Sequence, residues 1–137
     1  MIRYTEHTEG VDWEALMQAL IADDFHNGRT PEQYRQSFEN SYAAVLVFDD
    51  DQVIGTARAL SDGVCNGYVV DVWTRSSHRR RGIATQMMTL LLSRMPGQHI
   101  YLWTDNAQEF YTRLRMRRSS ATGFETVVGR WLQQEPE

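Results

Sequence analysis

Three adjoining stretches of this sequence decide its fold: YVVDVWT at residues 68–74, RSSHRRR at 75–81 and GIAT at 82–85. The first is an apolar run of strand length, the second is basic, and the third opens an apolar helical stripe that ends near Arg94. Free N–H groups point out of the first turn of a helix, where the helix dipole also favours anions. A strand, a basic turn, a glycine and a helix start therefore predict a phosphate-binding turn.

The residues alone leave a second interpretation of this turn open. In this interpretation, Gly82 is present only because the chain makes a tight turn there, and residues 78–81 are a charged run exposed to solvent. The turn is not a Walker A loop, because lysine is missing and the glycine spacing differs, and it is not a G-x-G-x-x-G motif.

Hydrophobic periodicity and turn residues predict the elements on either side of this turn. Asp12 caps a first helix, and Thr30-Pro31 starts a second one that we expect to end near Asn40. Further helices are predicted at 84–94 and 106–115, and strands at 2–6, 42–48, 52–60, 68–74, 99–104, 117–119 and 124–132. The order βααβββαβαββ predicts an α+β (mixed α/β) fold, with a mixed, mostly antiparallel central sheet flanked by helices.

Composition restricts the class of protein. The chain of 137 residues is 42% hydrophobic and 23% charged, which predicts one globular domain (1–137) with a polar tail at 133–137. A net charge of −4 argues against general nucleic-acid binding. No apolar run approaches the ~20 residues of a membrane helix, and the first residues lack the apolar core of a signal peptide. With one cysteine, Cys65, these features predict a cytoplasmic protein without an internal disulfide.

Two motifs carry a resemblance to a known family. Residues Arg79–Ala84 read Arg-Arg-Arg-Gly-Ile-Ala, which resembles the pyrophosphate loop [Arg/Gln]-x-x-Gly-x-[Gly/Ala] of the GNAT N-acetyltransferase superfamily. Ala107–Leu114 looks like the family's helix that ends in Phe-Tyr-x-x-Leu-Gly-Phe, and Gly123-Phe124 suits its last strand pair. The likeness extends from Ile54 to Trp131 and is greatest to the compact single-domain members.

The sequence departs from the family pattern at two places. Arg115-Met116 stands where the family has Gly-Phe, although methionine can fill a phenylalanine-like core site. Thr104 stands where many members carry an asparagine that contacts the cofactor, and its hydroxyl has a shorter reach.

The resemblance implies acetyl-coenzyme A (acetyl-CoA) as co-substrate. Backbone N–H groups from Arg80 to Thr85 would bind its pyrophosphate, and the pantetheine arm would lie along the strand end Val72-Trp73-Thr74. Arg75, Arg80 and Arg81 are equal candidates for the 3′-phosphate. The cofactor-binding set is therefore Val72, Trp73, Thr74, Arg79, Arg80, Arg81, Gly82, Ile83, Ala84, Thr85 and Thr104.

The resemblance also implies catalytic roles. A backbone N–H near Val72 or Trp73 would stabilise the oxyanion, and Tyr111 would protonate the leaving thiolate. The periodicity alone allows Tyr111 to be a core residue. Asp71, with the strand parity of Val69 and Trp73, is the candidate general base, and a structural carboxylate is the alternative. Weaker acceptor-site candidates are Arg58, His26 and Glu109.

These expectations converge on an N-acetyltransferase that acetylates a primary amine of a small-molecule acceptor by direct attack. A non-catalytic coenzyme A-binding module on the same fold is the alternative, and a nucleic-acid-binding domain is a third hypothesis. The four histidines are scattered, so no metal site is predicted. No membrane association is expected. The sequence leaves the acceptor undecided, and it leaves a homodimer through the last strand possible but undecided.

Overall fold

The computed structural model describes residues 1–131. Its strands are β1 (Ile2–Thr5), β2 (Ala43–Asp49), β3 (Gln52–Ser61), β4 (Asn66–Thr74) and β5 (His99–Tyr101). Its helices are α1 (Trp13–Ala22), α2 (Pro31–Glu39), α3 (Ile83–Ser93) and α4 (Gln108–Arg113), with a 3₁₀ turn at Ser76–His78. None of these helices is long and apolar enough to cross a membrane.

The five strands form one sheet in the order β1-β2-β3-β4-β5. Strands β1 to β4 pair antiparallel, and β5 runs parallel to β4. The predicted α+β fold with a mixed, mostly antiparallel sheet is therefore confirmed. The parallel pair needs a crossover connection, and α3 supplies it.

The sheet separates two apolar clusters. On one face, α3 packs through Met87, Met88 and Leu91 against Val45, Val47 and other residues of β2, β3 and β4. On the opposite face, α1 and α2 pack through Leu16, Leu20, Tyr34 and Phe38 against a second set, which includes Leu46, Phe48 and Trp73. Alternate residues of β2 thus enter opposite clusters, as the two-residue period of a strand requires.

The two predicted helix starts are confirmed. Asp12 accepts a hydrogen bond from the N–H of Ala15 at 3.0 Å. Thr30 and Gln33 exchange the two bonds of a capping box, and Pro31 occupies the first turn. Such caps contribute about 1 kcal/mol each to helix stability.

The prediction of two strands at the C-terminus is wrong within residues 117–131, where the structure has no strand. Phe124 and Val128 are each 94% exposed, so this stretch has no apolar face that packs on the core. Strand β5 is also only three residues long, shorter than the predicted 99–104, and offers few backbone groups for pairing. The end of the predicted last strand and the polar tail lie outside the described residues.

Candidate active site

The site begins at an open edge of β4. Strand β5 pairs only with the first three residues of β4, Asn66 to Tyr68. From Val69 to Thr74, no strand among residues 1–131 covers the same side of β4. Because β5 ends at Tyr101, the backbone polar groups along this edge of β4 are available to an extended ligand.

A β-bulge interrupts β4 beside this edge. The pairing of β3 with β4 shifts by one residue between Thr56↔Trp73 and Arg58↔Val70. Asp71 lies at the shift, has a φ of 57°, and accepts a hydrogen bond from Thr56 Oγ1 at its carbonyl oxygen (2.8 Å). Bulges of this kind re-aim side chains and are frequent near active sites.

The bulge changes which face of the sheet each side chain meets. Val69 and Val72 contact the α3 cluster, whereas Trp73 lies in the α1–α2 cluster. Asp71 also faces α1 and α2, because its carboxylate contacts Arg29 in the loop between those helices. The expected shared parity of Val69 and Asp71 is therefore wrong, since the extra residue reverses the alternation.

The Asp71 carboxylate is held by two guanidinium groups, one buried (Arg29) and one mostly buried (Arg58). Arg29 binds both oxygens at 2.9 and 2.8 Å, and Arg58 Nε binds Oδ2 at 2.6 Å. Burial by itself raises the pKa of this carboxyl, but the hydrogen bonds and charges of Arg29 and Arg58 outweigh it, so the pKa lies below its ordinary value. A carboxylate in these surroundings is a weak proton acceptor at neutral pH. The base role of Asp71 stays a prediction.

The basic turn joins β4 to α3. Ser76–His78 form the 3₁₀ turn, and His78 Nε2 lies 2.8 Å from Asp49 Oδ2, which fixes the turn to the β2–β3 hairpin. Arg79 donates to the Thr74 carbonyl oxygen at 3.1 Å. Arg80 and Arg81 are exposed and form no ion pair within residues 1–131. Their guanidinium groups are therefore accessible to phosphates.

The first turn of α3 is open to an anion. Gly82 occupies the N-cap position at φ 76°, and no side chain caps the helix there. A Cβ added at Gly82 would meet no atom within 4 Å, so the space before the helix is clear. Arg80 also has a positive φ of 65°. Backbone N–H groups in such a left-handed turn and in the first helical turn form a concave anion site.

Thr74 and Thr104 differ in their hydrogen bonds. Thr74 Oγ1 is buried and has no partner within residues 1–131, which is unusual for a buried hydroxyl. It lies at the end of the open edge of β4. Thr104 Oγ1 accepts from the N–H of Ala107 at 3.0 Å and so caps the approach to α4. Its hydroxyl hydrogen remains available as a donor.

Tyr111 lies on α4 and packs against the α3 cluster, as Val72 and Ala84 do. Its ring meets Phe110 edge-on, with centroids 4.9 Å apart. Burial raises the pKa of its hydroxyl, and the hydroxyl makes no hydrogen bond within residues 1–131. The side chains of Val72, Ala84 and Tyr111 therefore meet on the face of the sheet that α3 covers.

The end of α4 resolves one departure from the family pattern. Arg115 has a φ of 66°, its N–H donates to Thr112, and the N–H of Met116 donates to the Tyr111 carbonyl oxygen. These bonds form a Schellman motif, whose left-handed position usually holds glycine. Met116 packs against the α3 cluster. Arg115 and Met116 therefore occupy the places of the family's Gly and Phe.

The comparisons with known proteins agree with this geometry. The model of the acetyltransferase (GNAT) family matches residues 13–115. The chain belongs to the GNAT family. The match includes the open edge of β4, the basic turn, α3 and Tyr111. No curated protein resembles this GNAT chain significantly in sequence.

Solved structures show the same fold. A candidate acetyltransferase of Deinococcus radiodurans R1 is 25% identical with a TM-score of 0.78, over 90% of this chain and 87% of that one. A GNAT-family acetyltransferase of Streptococcus pneumoniae TIGR4 is 24% identical with a TM-score of 0.77, over 93% and 98% of the two chains. A Staphylococcus aureus protein of unknown function is 17% identical with a TM-score of 0.79, over 95% and 100%.

The network around Asp71 is what the sequence did not predict. Arg29 is separated from Asp71 by 42 positions and Arg58 by 13, and no local pattern marks them as partners. Asp23 is a second such residue, because it accepts hydrogen bonds from Trp73 Nε1 and from the N–H of Ser76. The only sequence signal for these contacts is that Asp23 and Arg29 are charged residues in the connection between α1 and α2.

Proposed function

We propose that this GNAT-family acetyltransferase transfers the acetyl group of acetyl-CoA to a primary amine of a small-molecule acceptor. One observation carries the proposal. The open edge of β4, with the buried unpartnered hydroxyl of Thr74 at its end, leads directly to the uncapped start of α3 at Gly82. An extended arm and a pyrophosphate on one molecule fit these two adjacent surfaces.

The residues present fit acetyl-CoA in three respects. The backbone of Val72 to Thr74 would pair with the amides of the pantetheine arm, and Thr74 Oγ1 would gain the partner it lacks. The N–H groups from Arg80 to Thr85 would bind the pyrophosphate. Of the residues in this turn, Ile83 contributes only its backbone, because its side chain is 3% exposed and packs in the core.

The 3′-phosphate of acetyl-CoA would need an exposed cationic side chain near the basic turn. Arg80 and Arg81 are exposed and make no ion pair within the described part of the chain, whereas Arg79 is partly engaged by Thr74 and Asp23. Arg80 and Arg81, together with Arg75, therefore stay the candidates for the 3′-phosphate.

The reaction needs a donor to the oxyanion and a proton for the leaving sulfur. The neutral amine nitrogen forms a bond to the acetyl carbonyl carbon, and the carbon–sulfur bond then breaks. A backbone N–H at the bulge, near Val72 or Trp73, would stabilise the oxyanion and contribute roughly 10²–10³ in rate. Tyr111 would donate its proton to the departing sulfur. The Tyr111 hydroxyl is protonated at neutral pH, as such a donor requires, and burial raises its pKa further above the ordinary value.

Calorimetric titration of acetyl-CoA tests the binding half of this proposal. We expect binding by the wild type and its loss in Gly82→Asp, because a carboxylate there repels the pyrophosphate. Gly97→Asp is the matched control. Gly97 has a φ of 77°, against 76° at Gly82, and a Cβ at either position meets no atom within 4 Å. Both variants carry the same backbone strain, so loss of binding in Gly82→Asp alone identifies the site.

Release of free thiol in the presence of amines tests the chemical half. Suitable amines are spermidine, glucosamine, glycine, kanamycin and a peptide with a free N-terminus. Acetylation of one of them supports the enzyme. Tight binding of acetyl-CoA without acetylation of any would favour the non-catalytic coenzyme A-binding module instead.

A further inference from the structure

A guanidinium group on β3 lies next to the strand segment to which the pantetheine arm and the oxyanion donor are assigned above. Arg58 pairs with Val70 in the register of β3 and β4, and its Nε donates to Asp71 Oδ2 at 2.6 Å. Asp71 directly precedes Val72, the first residue of that segment. Val70 and Val72 are two positions apart, which is roughly 7 Å along a strand. Arg58 is therefore within reach of a small molecule at this point of the edge.

The side chain of Arg58 lies on the face of the sheet that α1 and α2 cover in part. Its Cζ atom lies 5.8 Å from the ring centroid of Phe38 on α2. The side chains of Val72, Ala84 and Tyr111 contact the α3 cluster on the opposite face. An extended ligand on the edge of β4 can be reached from both faces. Because the proposed acid and the helix start belong to the α3 face, the face of Arg58 is the one left for the acceptor.

The network that contains Arg58 carries an excess of positive charge. Arg29 and Arg58 share the single carboxylate of Asp71, and the side-chain exposures of the three residues are 7%, 12% and 11%. Two positive charges against one negative charge leave one positive charge in excess. A charge removed from water is costly unless a counter-charge compensates it. An anionic group on the acceptor would compensate this excess, whereas a polyamine would add to it.

The Nη2 atom of Arg58 is a hydrogen-bond donor without a partner in residues 1–131. The Nε atom binds Asp71, and Nη1 reaches Ser41 Oγ only at 3.4 Å. Nη2 keeps access to solvent, because Thr74 Oγ1 is the only buried side-chain nitrogen or oxygen without a partner in the described part of the chain. Arg29, by contrast, donates from all three of its nitrogens. Arg58 Nη2 is therefore available to a ligand oxygen.

Tyr68 supplies a second donor on the same face. It pairs with Leu60, which is 41% exposed and lies two residues after Arg58 on β3, so this part of the face is open to solvent. Burial raises the pKa of the Tyr68 hydroxyl, the charge of Asp71 raises it further, and that of Arg58 lowers it, so the hydroxyl lies near both groups. Glu125 also raises this pKa, but Glu125 is exposed and forms no ion pair within residues 1–131.

We propose that the acceptor is a small amino acid, whose carboxylate is bound by Arg58 Nη2 and by the Tyr68 hydroxyl. This inference rests on the proposed N-acetyltransferase function and names its substrate class. The carboxylate is unchanged by the reaction, and it holds the amine nitrogen at the edge of β4 beside Val72. Asp71 is then a positioning residue, because its bond to Nε fixes the guanidinium of Arg58.

Matched acceptors test the role of the carboxylate in the wild type. The measurement compares kcat/KM for glycine, β-alanine, serine, leucine and phenylalanine with kcat/KM for the carboxamide of each. We expect the acid of at least one pair to be preferred about 10–100-fold, because the carboxamide loses a hydrogen bond to a charged group. The carboxamide has the more acidic ammonium group, so this difference works against the expected preference. Spermidine and kanamycin should be poorer acceptors than that acid.

Arg58→Gln tests the residue that binds the carboxylate. It removes Nη2 and the excess charge but leaves Asp71 paired with Arg29, so the fold should persist. We expect the preference for the acid over its carboxamide to fall to within threefold, with unchanged calorimetric affinity for acetyl-CoA. A merely structural role would lower the activity with both acceptors and leave their ratio unchanged. Arg35→Gln is the matched control, because Arg35 Nε also donates to a carboxylate, that of Glu32 at 2.8 Å, but lies on α2 with 40% exposure.

Tyr68→Phe is a milder variant of the same site. It keeps the ring and removes one donor, so we expect the preference for the acid to fall about 3- to 10-fold. This variant tests the proposal if Arg58→Gln does not fold.

The outcomes separate the two proposals. A wild type that acetylates each carboxamide as well as its acid overturns the carboxylate site and leaves the acetyltransferase intact. The same holds if the preference survives in folded Arg58→Gln, or in Tyr68→Phe where that variant alone folds. A wild type that binds no acetyl-CoA, or that acetylates none of the amines, overturns the proposed function and the carboxylate site together.

Discussion

Asp71 and Arg29 are joined by two hydrogen bonds of 2.8 and 2.9 Å, although 42 positions separate them in the sequence. The pair connects the bulge of β4 to the loop between α1 and α2, and Arg58 completes it from β3. A tightly bound bridge of this kind does not drive folding by itself. It fixes where the loop between α1 and α2 lies relative to β4.

Removal of the Asp71 charge is the first prediction. Asp71→Asn leaves the buried Arg29 and the mostly buried Arg58 without a counter-charge, and we expect the free energy of unfolding to fall by about 3–5 kcal/mol. Urea denaturation at neutral pH measures this loss. Asp105→Asn is the control, because Asp105 is exposed and forms no ion pair within residues 1–131. A loss below ~1 kcal/mol at Asp71 would show that the network does not stabilise the fold.

The same carboxylate predicts a dependence of stability on pH. The pKa of Asp71 is lower in the folded protein than its ordinary value, which is also its value in the unfolded chain. Its contribution is therefore fully present above that ordinary value, near 3.9, and is lost as the pH falls through the lower folded pKa. We expect acid unfolding of the wild type to steepen below about pH 4, and this part of the steepening to be absent in Asp71→Asn.

The contrast between Asp71 and the helix caps shows what sequence could predict. Asp12 and Thr30 accept hydrogen bonds from N–H groups three residues away, so their roles as helix caps could be predicted from spacing alone. The bulge at Asp71 depends on the register between β3 and β4, and a single positive φ at an aspartate leaves no sequence pattern. The alternation along the strand therefore grouped Asp71 with both Val69 and Trp73, whereas the bulge leaves it on the side of Trp73 alone.

The prediction of two C-terminal strands was wrong for a related reason. The stretch that includes Phe124 and Val128 has the composition of a strand, yet composition does not reveal whether a partner edge exists. Here the neighbouring strand β5 ends at Tyr101. By contrast, the basic turn and the start of α3 were predictable, because a glycine and a helix start lie next to each other in the sequence.

Arg115 provides a prediction about stability. A non-glycine residue in the left-handed region costs roughly 1 kcal/mol, and Arg115 has a φ of 66°. We expect Arg115→Gly to stabilise the protein by about 0.5–1 kcal/mol, seen as a higher urea midpoint with an unchanged m-value. Arg113→Gly is the opposite control, because Arg113 lies within α4 and glycine there costs about 1 kcal/mol. Destabilisation by both would contradict the Schellman assignment.

Thr74 provides a prediction that separates folding from binding. Its buried hydroxyl has no partner within residues 1–131, so Thr74→Val removes a desolvated polar group without breaking a bond. We expect the free protein to be as stable as the wild type or about 1 kcal/mol more stable. We expect acetyl-CoA to bind about 3- to 10-fold more weakly by calorimetry, since the bond to the hydroxyl is lost.

Thr56→Val is the matched control for that measurement. The Thr56 hydroxyl donates to the Asp71 carbonyl oxygen at 2.8 Å, so its removal should cost about 1–3 kcal/mol of stability by leaving a buried acceptor unpaired. If Thr74→Val lost as much stability as Thr56→Val, Thr74 would have a structural partner in the free protein, and its assignment to the ligand would fail.

The hydroxyl group of Tyr111 provides a prediction about the chemical step. Tyr111→Phe keeps the ring that packs against Phe110 and the α3 cluster and removes only the hydroxyl group, which we propose as the acid. We expect kcat to fall about 10²-fold, with acetyl-CoA affinity and urea midpoint unchanged. Burial raises the pKa of Tyr111, so its hydroxyl stays protonated above the ordinary tyrosine value of about 10. Wild-type activity should therefore show no loss attributable to this group up to about pH 10.

Tyr101→Phe is the control, since Tyr101 is 41% exposed and lies on β5. Equal kcat values for Tyr111→Phe and Tyr101→Phe would remove Tyr111 from the chemistry. The thiolate would then leave without a proton from the protein, and the periodic stripe on α4 would be a packing feature alone.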